Sequence, residues 1–303
     1  MSHSWPGIFK RSKPLSNRAR RCDVHVVCAR EPQEPIVPLD APRRLIGTAL
    51  VAVSLVASTP AEVVASTPAD VAASPVTPAA GASVTATALP QATTLTQLNG
   101  LPQDTDTFGE LSGVVVHPVR TVAVHAQPGG TPVATLPAKQ LGSLTWVPVV
   151  EARKGWYRVL LPSKPNHVTG WINAKGLKKA RSRYRAIVKL GARQLTVMNA
   201  SKKLGTWTVA VGGPQTPTPV GRTFLLALMS PKKKTYSPLI LPLGTHSQTL
   251  DTFGGGPGTV AFHGWPDRKV FGQAVTHGCV RVPARALKVL AGLPLGTPVL
   301  IAP

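Results

Sequence analysis

From Gly113 onward the chain alternates short β-branched runs with Gly and Pro, and one stretch, Ala284 to Ala291, spaces its apolar residues for an amphipathic helix. Five runs come first: 121–126, 133–136, 146–151, 156–161 and 168–172. Short strands separated by turn residues predict a small β-barrel. A second set follows at 185–190, 193–198, 206–211, 222–228, 259–263 and 297–302. The reading is mainly β, with one or two short helices.

The polar pattern divides the rest. Leu45 to Ala57 is an uncharged apolar run behind Arg43 and Arg44 and ahead of Pro60, too short for the ~20 residues of a spanning helix. It reads as the core of an export signal, or as a membrane anchor formed by residues 45–57 if it is retained. The near-repeat VASTPAEV and VASTPADV then dissolves into Ala, Ser, Thr and Pro, and no aromatic residue, Lys or Arg occurs from 45 to 107. Such a segment buries too little apolar surface to offset the entropy of ordering it. The expected organisation is 1–57 as N-terminal extension with signal or anchor, 58–112 as disordered spacer, 113–178 as barrel and 184–303 as a second β-domain. A basic connector, Lys175 to Arg185, is expected as a solvated linker.

Charge sharpens this picture. Of the net +22, residues 113–303 carry 25 basic and 3 acidic groups, so the whole excess lies beyond the signal and spacer. Such a surface attracts polyanions, and nucleic acid, an anionic cell-wall polymer and acidic lipid all qualify; its place beyond an export signal points to the wall polymers. Export separates the chain from nucleic acid, and no recognition motif for it is present, so no nucleic-acid partner is expected.

The candidate chemistry is concentrated. With the signal removed, Cys22 and Cys28 go with it and Cys279 is the remaining cysteine. Exported proteins usually pair their thiols, which marks a single one as a candidate nucleophile. It sits in Thr276-His277-Gly278-Cys279-Val280-Arg281. A cysteine nucleophile needs a base, a group that orients the base, and N–H donors for the oxyanion. His263, closing the run TVAFH, can supply the base, and Gly278 and Cys279 offer backbone N–H groups. In an extended strand His277 would share the face of Cys279, ~6.6 Å away, poorly placed for in-line proton transfer.

Read together, His263-Gly264 followed by THGCVRV resembles the signature of the L,D-transpeptidase catalytic domain, the YkuD-type fold. Gln194-Leu195, the segment Thr216 to Phe224 (TPTPVGRTF) and the closing GTPVLI fit the same family. In the barrel, GWYRVLLP and GWI resemble bacterial SH3-like domains, although Trp156 and Trp171 equally suit a barrel core. The resemblance implies an SH3-like β-barrel followed by a β-sandwich-type catalytic domain. It makes Cys279 the nucleophile, His263 the general base and the main-chain carbonyl of Gly264 the third member. That fits a segment whose only carboxylates are Asp251 and Asp267, the latter being the one side-chain alternative. His277 then lines the site, while Thr276, Tyr236 and Arg281 fall to the substrate, Arg281 serving a substrate carboxylate or acting as a brace. A lid is implied between Met229 and Gly256.

The implied reaction is attack on the third-residue carbonyl of a peptidoglycan stem tetrapeptide, loss of D-Ala, and transfer to an amine of a neighbouring stem. Water as acceptor would make a carboxypeptidase. No cofactor or metal is expected: His246, His263, His277 and Cys279 are zinc-ligand types without the spacing of a closed site. A wall-binding protein without catalysis is the remaining alternative.

Overall fold

The structure, a computed structural model, describes residues 88–303 except 234, 254 and 255. The extension 1–57, with its signal or anchor, and residues 58–87 of the spacer lie outside the described residues. No helix among the described residues is long and apolar enough to cross a membrane.

The first β-region is a seven-stranded antiparallel sheet in the order Pro132–Leu136, Val122–His125, Thr169–Asn173, Trp156–Leu160, Val147–Arg153, Val114–Pro118, Leu177–Arg181. Trp171 is buried, with the Arg153 guanidinium 4.8 Å above its ring. The basic connector is not a linker: Leu177–Arg181 pairs along its whole length with Val114–Pro118. Its Lys178, Lys179 and Arg181 suit an exposed edge strand, where like charge discourages further pairing.

The second region is a sandwich. A five-stranded sheet runs in the order Lys202–Thr208, Gln194–Asn199, Tyr184–Lys189, Pro298–Ala302, Gly221–Phe224, and a three-stranded sheet in the order Ile240–His246, Thr259–His263, Val280–Arg281. Alternate residues of the larger sheet, Ala186, Val188, Leu195, Val197, Val299 and Ile301, form one core with Leu241, Leu243, Val260, Phe262 and Val280 of the smaller. The helix Ala284–Ala291 closes that core with Ala286, Leu287 and Leu290.

Residues 88–112 depart from the expected free spacer. Ala92 and Leu98 are buried, and the backbone of this stretch bonds to Thr135 of the first sheet and to Lys164 and His167 in the loop between two of its strands. The strap ends at a buried ion pair. Asp104 accepts two hydrogen bonds from Arg222, at 2.6 and 2.8 Å, and Asp106 a third at 2.8 Å. Burial works against the Arg222 charge, but the hydrogen bonds and charges of Asp104, then Asp106, outweigh it and raise its pKa. Phe224 and Leu226, from the second region, lie in the core of the first among Leu136, Val147 and Leu161. The two β-regions are therefore fused through a shared core, with only Ser182 and Arg183 between Leu177–Arg181 and Tyr184–Lys189. Gly221, at φ +114°, fits at this seam because a Cβ there would strike the His167 ring.

Candidate active site

His263 ends Thr259–His263 and pairs in parallel register with Arg281. Register partners on adjacent parallel strands share a face, and the two-residue period places Cys279 on that face as well. The ladder sets the imidazole on the strand next to the one that begins directly after the thiol, although sixteen positions separate the two in the chain. Cys279 is the one cysteine among the described residues and is half-buried. His263 is buried, and its Nδ1 lies 2.8 Å from the carbonyl oxygen of Gly264. A carbonyl can only accept, so Nδ1 carries the hydrogen and the neutral ring presents Nε2 as its lone pair.

The Gly264 peptide is itself held. Its N–H donates to Ser237 Oγ at 2.7 Å, and that hydroxyl donates to Leu239 O at 2.6 Å. Ser237 is almost fully buried. It is absent from the sequence-based reading, and its position beside Tyr236 was the only hint. Tyr236 packs edge-on against His263 with ring centroids 4.8 Å apart, and Trp265 adds a third ring 5.4 Å from Tyr236. The Arg281 guanidinium lies 3.6 Å above Trp265, and Arg281 is 6% exposed. Its backbone bonds both ways to Ala210. Arg281 is thus packed against the aromatic group that surrounds His263. Asp267, the alternative orienter, is exposed and accepts instead from Lys269 N–H at the start of a short 3-10 turn.

The turn before Cys279 is clamped on both sides. Thr216 Oγ1 donates to Thr276 O and Thr218 Oγ1 to Gly278 O, each at 2.9 Å, while Thr218 accepts from Gly212 N–H at 2.8 Å. The TPTP segment, legible only as a motif in the sequence, thus fixes the peptides that lead into the thiol. Thr276 acts from within: its hydroxyl donates to Cys279 O at 2.5 Å and accepts from Gly278 N–H at 3.2 Å. The Gly278 N–H, expected as an oxyanion donor, is therefore turned to Thr276. Gly278 adopts φ +107°, a conformation that L side chains rarely take. That kink also alters the expectation for His277, which does not continue an extended strand into Cys279. Its ring stacks, tilted, on Phe253 at 5.1 Å. Phe253 belongs to a hairpin of Thr252–Phe253 with Gly256–Pro257, inside the expected lid; Lys234, Gly254 and Gly255 lie outside the described residues.

His246 stands apart, buried at the opposite end of Ile240–His246 from the residue that pairs with His263, with Nδ1 2.7 Å from Ser247 O. Among the described residues no group of three or more His, Cys, Asp or Glu side chains is gathered to hold a metal ion.

This arrangement offers a half-buried thiol and, on the neighbouring strand, a buried imidazole oriented by the main chain. Residues 183–301 match the YkuD family, the L,D-transpeptidase catalytic domain. Members of that family are acyltransferases of peptidoglycan. No curated protein matches the chain. Among solved structures, the L,D-transpeptidase from Mycobacterium smegmatis is 15% identical, with 51% of this chain and 80% of that one covered and a TM-score of 0.35. L,D-transpeptidase 3 from Mycobacterium tuberculosis is 11% identical, covering 62% and 95%, with a TM-score of 0.36. The Enterococcus faecium L,D-transpeptidase is 21% identical, covering 39% and 49%, with a TM-score of 0.31.

Proposed function

We propose that the protein is a cell-wall L,D-transpeptidase in which Cys279 is the nucleophile and His263 the general base. The observation that carries this reading is the His263 Nδ1 contact with Gly264 O, which aims Nε2 away from the backbone on the face that also carries Cys279. Nε2 takes the Cys279 proton, and Sγ attacks the third-residue carbonyl of a peptidoglycan stem tetrapeptide. The tetrahedral oxyanion accepts a hydrogen bond from the Cys279 N–H. As the carbon–nitrogen bond breaks, Nε2 returns the proton to the departing D-Ala amine and a thioester remains. An acceptor amine on a neighbouring stem then attacks the thioester, passes a proton through His263 to the sulfur, and forms the cross-link. His277, Thr276 and Tyr236 line the donor side, and Arg281 acts through Trp265. The chain works outside the cytoplasm, with residues 1–57 as export signal or anchor and 113–178 as an SH3-like module.

The test is D-Ala release from a disaccharide-tetrapeptide with the full chain, with and without an amine acceptor. Release that produces a cross-linked dimer supports the transpeptidase. Release with only the shortened stem as product indicates a carboxypeptidase, and no release from folded protein contradicts both.

Ser237 is a positioning residue in this scheme. Ser237→Ala leaves the buried Gly264 N–H without its acceptor, at a cost of about 1–3 kcal/mol, and frees the carbonyl that orients His263. The expected result is a fall in kcat of roughly tenfold or more at nearly unchanged KM. An equal effect on both, or none, would show that the hydroxyl serves only the loop.

A further inference from the structure

A cavity of about 640 Å³ opens on the outer face of the five-stranded sheet, where the strap meets Tyr184–Lys189 and Pro298–Ala302. Its floor includes Ile187 and Leu300, which alternate with the core residues Ala186, Val188, Val299 and Ile301 and so face the other way. The sheet that carries His263 packs on the opposite, inner face. Arg181, Arg183 and Arg185 line the cavity.

The charges are unequally satisfied. Arg222, also in the lining, is neutralised by Asp104 and Asp106. Glu110 is the only carboxylate lining the cavity, and it stands 3.5 Å from Arg185 Nε without forming a hydrogen bond. That N–H is closed off from solvent and has no hydrogen-bond acceptor among the described residues. Glu110 is thus the one lining carboxylate set against the guanidiniums of Arg181, Arg183 and Arg185, and the lining keeps a net positive charge. The volume lies within the ~300–1,000 Å³ of small-molecule sites, and a planar fork beside an apolar floor suits a tetrahedral or planar oxyanion carried on a carbon skeleton.

We propose that this cavity is a second binding site, separate from Cys279, for an anionic group, phosphodiester or carboxylate, on a polymer whose carbon chain lies along Ile187 and Leu300. It gives the diffuse basic excess of residues 113–303 one defined point of attachment, and it does not depend on the chemistry at Cys279.

The experiment is equilibrium binding of the full chain to two probes of defined length, an oligomer of glycerol phosphate and hexaglutamate. At least one is expected to bind saturably, more weakly as salt rises. Arg183→Gln with Arg185→Gln should weaken that binding by about tenfold or more, as loss of charge-assisted hydrogen bonds implies. Arg285→Gln with Lys288→Gln removes the same charge from the exposed side of the helix on the inner face and should change it less than twofold. Cys279→Ala should bind as the parent does. Arg183→Gln alone, at an exposed side chain, keeps the test intact if the double variant fails to fold, and should itself weaken binding. Binding of the phosphate probe alone, the carboxylate probe alone, or both supports the site and identifies its ligand class. Equal losses in the two pairs, or no saturable binding of either probe, would overturn it.

Discussion

Replacing Cys279 with Ala is expected to lower D-Ala release from a tetrapeptide stem by on the order of 10⁴-fold or more, because no covalent intermediate can then form. Cys279 is the one thiol among the described residues, so no neighbouring sulfur can substitute for it. The fold should be indifferent to the change. The side chain is half-buried, Ala is smaller, and the hydrogen bonds that shape the turn come from Thr216, Thr218 and Thr276 to peptide groups that the substitution leaves in place. Melting within about 2 °C of the parent is the control that separates lost chemistry from lost structure. Cys279→Ser should be nearly as inactive, since a hydroxyl is far less acidic than a thiol beside the same imidazole. Activity retained in either variant would move the chemistry away from the THGC turn.

The largest expected effect on stability is at the seam. Asp104→Ala strands the Arg222 guanidinium, 6% exposed, beside Asp106 alone, and should cost about 3–5 kcal/mol in urea unfolding. That is a large share of the ~5–15 kcal/mol typical of a folded domain. Arg222→Ala should cost a similar amount by stranding Asp104. Replacing both with apolar residues should cost clearly less than the sum, because the penalty is an unpaired buried charge. Additive losses would mean that the pair is not coupled. The pH dependence has a definite sign. The Arg222 pKa is raised on folding, so its contribution is complete below the ordinary arginine value and is lost only as pH rises through the higher folded one. Alkali within the working range of proteins should therefore leave the seam intact.

Most strands of both regions were legible because their β-branched runs are short and bounded by Gly and Pro, although Val114–Pro118 was not read, and the helix was legible because one octet carries helical spacing. Ile240–His246 was not. It is buried along its whole length, so it shows no in-and-out alternation, and Pro242 and Gly244 interrupt the run. Residues 88–112 were hidden for another reason. Their composition is that of free chain, and what orders them lies far downstream: backbone partners at Thr135, Lys164 and His167, and for Asp104 a guanidinium 118 positions away. The connector misled by charge, since a row of Lys and Arg reads as solvated loop until Val114–Pro118 is found beside it. In the candidate site, His263, Gly264 and Cys279 stood in a readable motif. Ser237 and Trp265 did not, and the clamping threonines stood in motifs that gave no sign of their purpose, because the importance of each is a matter of which peptide it touches.

The central claim is that an acyl group from the stem peptide passes through Cys279. Intact-mass measurement of the full chain after incubation with a disaccharide-tetrapeptide tests it most directly. The expected product is a protein heavier by the substrate minus D-Ala, mapped by peptide mass to Cys279, missing in Cys279→Ala and slow to form in His263→Ala. Folded protein that releases no D-Ala and gains no mass, or an adduct mapped to another residue, would contradict the account.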